Sequence, residues 1–275
     1  MEVQRIAAFS DGGQGGNPAG VVICERLPDD AVMQRVAADV GFSETAFAAP
    51  MQEGWRVRYF APAMEVPFCG HATIALGAAL ARRFGEGIFP LTLNEAQITV
   101  EGKVAGEIMQ AALQSPPTMN EPASDALLSE ALTLFSYQPQ ELDLELPPAV
   151  INAGARHLLL ALSRRDALAR MTYDLVEGKS MMQRWGLTTI AFVYRETPTV
   201  FHCRNAFAVG GVIEDPATGA AAAALAGYLR DSDRLSGRKI RIVQGEDMGM
   251  KSVLHAEASL EKGSSIRVSG QARLM

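Results

Sequence analysis

The stretch Ile213–Tyr228, IEDPATGAAAAALAGY, decides how the chain is read. It has the form of a strand end, a tight turn and the start of an alanine-rich helix. Asp215 and Pro216 fall at the turn, Thr218 is a candidate N-cap, and Ala220–Leu229 holds helix formers with only Gly227 against them. A helix this apolar on all sides must be buried. Its first turn carries unpaired N–H donors and a partial positive charge, which together make a natural seat for a carboxylate. A candidate site therefore lies at the mouth of a buried helix.

Outward from this stretch, composition narrows the classes. The 275 residues have room for one large domain or two of moderate size. Hydrophobic residues make up 48% and charged residues 20%, which allows a sizeable core and argues against disorder. A formal net charge of −6 speaks against a general nucleic-acid or anionic-membrane surface, while leaving room for an anionic small substrate in a local site. Cys24, Cys69 and Cys203 are odd in number, widely spaced and without a CxxC, so neither a disulfide framework nor structural zinc is expected. The opening MEVQRIAAFSD reads directly as a strand, without the pattern of a signal peptide. Ala217–Leu229 is too short to span a bilayer. The expectation is a cytoplasmic protein.

Taken in order, Val3–Phe9, Ala19–Cys24, Phe42–Ala49 and Trp55–Phe60 have strand patterns, and Asp29–Asp39 has a helical one. Ser10–Pro18 is glycine-rich but is neither a P-loop nor a dinucleotide fingerprint. Phe68–Phe84 is a second strand end, turn and helix. Leu91–Leu93, Gln97–Glu101 and Val104–Ala111 read as short strands joined at glycine turns. The proline-rich Gln114–Ser124 is the best boundary, giving domains 1–117 and 118–275, with the last strand free to pack on the first domain. Beyond it, a helix over Ser124–Leu134 precedes strands at Val150–Ala153, His157–Leu162, Thr189–Tyr194 and Val200–Ala206. Helical pieces fall at Arg164–Arg170 and Leu175–Trp185. Lys239–Gln244, Ser252–Glu257 and Ser264–Ser269 close the chain as strands.

A shift of about 145 positions lays HATIALGAAL, His71–Leu80, on PATGAAAAAL, Pro216–Leu225. Each copy follows a strand and lies late in its half. The simplest reading is an α+β fold of two similar halves, each wrapping a curved, mostly antiparallel sheet or barrel around one apolar helix. A pseudo-twofold between the halves would let both helix N-termini point into one cleft. Glu44, His71 and Asp215 are the polar side chains at element edges in small or apolar surroundings. Singly, each has an ordinary explanation: a solvated charge, a turn histidine, a turn aspartate. His157, His202 and His255 show no metal spacing, and no metal is expected.

Together the motifs say more. SETAF at Ser43–Phe47, PFCGHATIA at Pro67–Ala75 and EDPATGAA at Glu214–Ala221 are joined by GNPAGVV at Gly16–Val22 and QGEDMGMKS at Gln244–Ser252. In this order and spacing they resemble the PhzF family, phenazine-biosynthesis-like isomerases of diaminopimelate epimerase-like fold. The resemblance covers nearly the whole chain. It implies a site between two domains, with Glu44 as general acid/base and His71 and Asp215 as further active-site residues. Gly70 and Gly219 would lie where backbone approaches the ligand. Thr73, Thr218 and Ala220 would stand at the helix mouths that hold it. The implied chemistry abstracts a proton beside an activated carbon and returns it elsewhere, and needs no cofactor. It calls for a carboxylate whose pKa burial has raised, with donors where negative charge develops.

The chain also departs from the family and fold patterns. The two thiols of diaminopimelate epimerases, one opening each central helix, align with Ala75 and Pro216, while Cys69 reads as a buried small side chain. A serine commonly follows DPATG in the family; here Ala220 stands there, and Asn205–Val209 replaces a proline-containing segment. These differences keep an alternative open: a non-catalytic small-molecule-binding protein that retains the fold. The expected partner is a small carboxylate, with no nucleic acid or membrane, and exposed strand edges would let two copies pair as a homodimer.

Overall fold

The computed structural model describes residues 1–106 and 108–275. The chain divides into two compact units, Met1–Gln114 with Ser269–Met275, and Ser115–Val268. In the first lie β1 (Gln4–Ser10), β2 (Asn17–Ile23), α1 (Asp30–Val40), β3 (Thr45–Pro50), β4 (Trp55–Phe60), β5 (Glu65–Val66), α2 (Gly70–Phe84), β6 (Gly87–Thr92), β7 (Gln97–Ala105) and β8 (Ile108–Gln114). In the second lie β9 (Met119–Pro122), α3 (Asp125–Leu134), β10 (Ala149–Asn152), β11 (Arg156–Leu162), α4 (Arg165–Ala169), α5 (Leu175–Trp185), β12 (Thr189–Thr197), β13 (Val200–Ala206), β14 (Glu214–Asp215), α6 (Gly219–Asp231), β15 (Lys239–Gln244) and β16 (Ser252–Ala258). The last strand, β17 (Ile266–Leu274), runs across the division.

The first unit is a closed ring of eight strands. β1 pairs with β2, β2 with β3, β3 with β4, β4 with β6, β6 with β7, and β7 with β8; β17 then pairs with both β8 and β1. Two of these pairs are parallel, β2–β3 and β4–β6, and each is bridged by a helix, α1 and α2 respectively. A parallel pair needs such a crossover because the chain must return to the same end of the sheet. The second unit repeats the scheme: antiparallel β10–β11, parallel β11–β12, antiparallel β12–β13, parallel β13–β15 and antiparallel β15–β16, with α4 and α5 in the first crossover and α6 in the second. The internal repeat read from alanine positions is thus a repeat of strand order and sense.

Each unit is built on its small-residue helix. In α2, every residue from His71 to Ala81 is buried. Its close packing rests on two glycines: a Cβ on Gly77 would lie 2.5 Å from Val100, and one on Gly102 would lie 2.3 Å from the Gly77 carbonyl. This corrects one sequence expectation. Gly102 is not a hairpin turn but the middle of β7, kept bare because a helix backbone rests on it; the strand continues to Ala105, and Gly106 makes the turn with φ +65°. The part of the expected Val104–Ala111 strand at Glu107 lies outside the described residues. In α6 the same closeness recurs where Gly227 meets Thr118. A short strand, β9, lies within the proline-rich Gln114–Ser124 stretch read from sequence as the domain boundary, its backbone paired with β10. Among the described residues no helix is long and apolar enough to cross a membrane.

Two predictions follow from packing. Gly102→Ala pushes a methyl group into the Gly77 carbonyl and should destabilise the fold by about 1–3 kcal/mol, read as a lower urea midpoint with unchanged slope. His157 in β11 is fully buried, its Nδ1 2.7 Å from the Thr189 hydroxyl, and desolvation lowers its pKa from 6.5 to about 3. Between those values the unfolded chain binds one proton more than the folded one. The contribution is therefore fully present above 6.5 and is lost as pH falls toward 3, at about 1.4 kcal/mol per pH unit. His157→Gln should flatten the pH dependence of stability in that window by about one proton.

Candidate active site

The mouth of α2 gathers four polar side chains. Ser43 and Glu44 immediately precede β3, and the Glu44 carbonyl accepts from the Gly20 N–H at 3.1 Å, which fixes the segment to β2. Cys69 is the N-cap residue of α2, and His71 lies in the helix's first turn, 7% exposed. The imidazole is the centre of the group. Its Nε2 lies 3.3 Å from Ser43 Oγ and 3.5 Å from Glu44 Oε2, and its Nδ1 lies 3.3 Å from Cys69 Sγ. The Glu44 side chain is 18% exposed, so it is shielded yet reachable. Donor atoms of Glu44, Cys69 and His71 fall within 4.8 Å of one another, a set that could hold a metal. Thiol and carboxylate approach different ring nitrogens from the same side, so the three groups form a compact triangle.

The backbone here is equally telling. The first bond closing the α2 ladder runs from Thr73 N–H to the Cys69 carbonyl, at 3.0 Å. Among the described residues, the N–H groups of Gly70, His71 and Ala72 have no partner within the chain. A Cβ on Gly70 would meet nothing within 4 Å, so neither packing nor dihedral angle requires glycine there. Thr73, expected to touch substrate, is instead fully buried. Its hydroxyl donates to the Cys69 carbonyl at 2.7 Å and meets the Tyr59 hydroxyl at 2.7 Å, while its N–H is used by the helix. The position that opens α2 is Cys69; Ala75, to which the sequence alignment assigned that place, is buried inside the helix.

The mouth of α6 is organised around an amide. Gln244, at the end of β15 and 1% exposed, donates from Nε2 to the Asp215 carbonyl (2.6 Å) and to Thr218 Oγ1 (3.0 Å). Its Oε1 accepts from the Thr218 N–H (3.1 Å) and from Asn205 Nδ2 (3.3 Å). All four hydrogen-bonding directions of the amide are filled. Thr218 occupies the N-cap position without making a side-chain cap bond; its hydroxyl donates to Asp215 Oδ2 at 2.6 Å. With Nε2–H arriving at Thr218 Oγ1, the hydroxyl proton is directed onto Asp215. Neighbouring Glu214 faces the other way and forms a buried bidentate pair with Arg204 (2.9 and 2.6 Å), whose remaining nitrogen caps the Ala169 and Met171 carbonyls. This pair holds β14, and with it Asp215, in place. The first ladder bond of α6 joins Ala222 N–H to the Thr218 carbonyl; N–H groups of Gly219, Ala220 and Ala221 have no partner within the chain among the described residues.

Each unit therefore assembles its share of the expected residues at the start of its own central helix: Glu44, Gly70 and His71 in the first, Asp215, Thr218, Gly219 and Ala220 in the second. Sequence reasoning assigned no role to Ser43, Asn205 or Gln244 and did not place Cys69 at the α2 mouth. All four lie in or beside quoted motifs, but only the packing shows what their side chains touch.

A family model for phenazine biosynthesis-like proteins (PhzC-PhzF) matches residues 6–275. The chain is 32% identical, over 96% of its length and 94% of the relative's, to a trans-2,3-dihydro-3-hydroxyanthranilate isomerase of Pseudomonas aeruginosa. It is 31% identical, over 94% of its length and 91% of the relative's, to an uncharacterized isomerase of Mesorhizobium japonicum. The crystal structure of a PhzF-family phenazine biosynthesis protein from Bacillus anthracis aligns over 100% of this chain and 98% of that one, with a TM-score of 0.86 at 22% identity. Fold and relatives together define an isomerase. The chain belongs to the phenazine biosynthesis-like, or PhzF, family.

Gln244→Leu would strip partners from the Thr218 N–H, the Asp215 carbonyl and Asn205. The expected loss is about 3 kcal/mol of stability, measured by urea denaturation.

Proposed function

We propose that the chain moves a proton between positions of a small carboxylic acid, with Glu44 as general acid/base. The observation that carries this reading is the shielded Glu44 carboxylate beside His71, at a helix mouth with unpartnered N–H groups. A general base must reach the C–H it attacks and must later return the proton, and a partly shielded carboxylate suits both steps. Negative charge that develops on the substrate's carboxyl or enol oxygen is stabilised by N–H groups already fixed in direction. Open space beside Gly70 gives a ligand room to approach that backbone. His71 donates to the developing charge or holds Glu44 in place, and Asp215, steered by Thr218, orients an amine or hydroxyl of the substrate.

The substrate class is a small, compact carboxylic acid; an amino group or an unsaturated ring would supply the acidity the C–H requires. The relative from Pseudomonas aeruginosa, named for a dihydro-hydroxyanthranilate, has a substrate of this kind. A second reading, ligand binding without turnover, draws on Ala220, where the family commonly offers a hydroxyl. Both are tested by incubating the protein in heavy water with aminocarboxylates and dihydroaromatic acids and following C–H exchange by NMR. We expect exchange with at least one ligand that binds, reduced about 10²–10⁴-fold in Glu44→Gln. Binding without exchange would favour the second reading, and exchange unchanged in Glu44→Gln would remove Glu44 from the mechanism.

A further inference from the structure

The proposed chemistry leaves the Cys69 thiol of the α2 mouth unused. Cys69 Sγ lies 3.3 Å from His71 Nδ1, and the opposite ring nitrogen is flanked by Ser43 Oγ at 3.3 Å and Glu44 Oε2 at 3.5 Å. The thiol thus lies against an imidazole nitrogen that can take its proton, the contact by which a base activates a nucleophile, and the Glu44 carboxylate lies close to both groups. We propose that Cys69 is a reactive thiol, primed by His71, that makes the α2 mouth a covalent modification site for soft carbon electrophiles.

Three further features support this. Cys69 is the residue from which a helix of 15 residues starts, beside N–H groups without partners in the chain, where a thiolate is stabilised. It is 8% exposed, and the space next to it at Gly70 is open, so a small reagent can approach. The other two cysteines have no such surroundings. Cys203 is buried in β13, and burial pushes its thiol pKa up. Cys24 gives its thiol to the Ala48 carbonyl at 3.5 Å, and burial raises its pKa as well.

With an alkyl iodide the step balances simply. A bond forms between Sγ and carbon, the carbon–iodine bond breaks, and iodide leaves with the bonding pair. The thiol proton passes to His71 Nδ1, where the Glu44 carboxylate steadies the imidazolium, and then to solvent. A carboxylate on the reagent adds a second handle. If the α2 N–H groups seat a carboxylate, as the proposed function holds, iodoacetate reacts at Cys69 faster than iodoacetamide. That preference rests on the functional reading; the reactivity of the thiol does not.

The test exposes the full chain, at neutral pH, to substoichiometric iodoacetate or iodoacetamide in parallel, and maps modified peptides by mass spectrometry over time. Cys69 is expected to be alkylated about tenfold or more faster than Cys24 or Cys203. His71→Gln, shown to be folded by its thermal melt, should slow the reaction at Cys69 about tenfold with both reagents. Faster labelling of Cys24 or Cys203 overturns the proposal, as does a Cys69 rate that His71→Gln leaves unchanged. Preferential labelling of Cys69 in which iodoacetamide is the faster reagent upholds the reactive thiol and overturns the carboxylate seat.

Discussion

The contact between the Gly77 carbonyl and Gly102 is the constraint on which the first unit depends. A ring of eight strands has a narrow interior, and a helix can lie against its wall only if neither backbone carries bulk at the crossing. Glycine on both sides meets that condition, and the surrounding alanines of α2 extend it along the helix. Protein interiors are close-packed, so a shift of even one methyl group must be taken up by backbone movement. The start of α2 is therefore held in place by packing many residues away from it, and the groups at its mouth inherit that rigidity.

Burying a helix along its sides has a chemical result at its end. The N–H groups of the first turn cannot be satisfied by the helix itself. When the apolar body is enclosed, those donors are concentrated at one opening. In α2 the opening holds Ser43, Glu44, Cys69 and His71, and in α6 it holds Asp215, Thr218 and the Gln244 amide. The two mouths use different means of control. Histidine, with a donor or acceptor on either ring nitrogen, links acid and thiol at the first. At the second, a saturated amide directs a hydroxyl onto a carboxylate, and an Arg204–Glu214 pair anchors the strand that carries it.

Much of this was legible in the residues. Alternating and apolar runs gave most strands, and the alanine-rich stretches at His71–Leu80 and Pro216–Leu225 marked the two central helices because such composition has no use on a surface. Gly102 was misread because glycine signals a turn locally, whereas its reason lies in a helix distant in sequence. β9 was missed because its residues lack β-forming side chains; its pairing with β10 is set by neighbouring backbone. At the site, Glu44, His71 and Asp215 stood out by type and position. Gln244 did not, because nothing local distinguishes a glutamine that saturates four partners from one in solvent. Thr73 was misjudged for the converse reason: a threonine at a helix start looks available until Tyr59 is packed over it.

The final strand carries a consequence of a different kind. Leu274 and Ala272 pair with Ile6 and Ala8, so the ring of the first unit is closed by residues that follow the whole of the second. During synthesis, β1 and β8 must wait with open edges while the chain between Gln114 and Ser269 is made. Such wide sequence separation places ring closure late and makes it slow, and unpaired edges are where chains associate wrongly. The two units are thus ordered in time: the first to leave the ribosome is the last able to finish, and its ring stays open until the last residues of β17 have arrived.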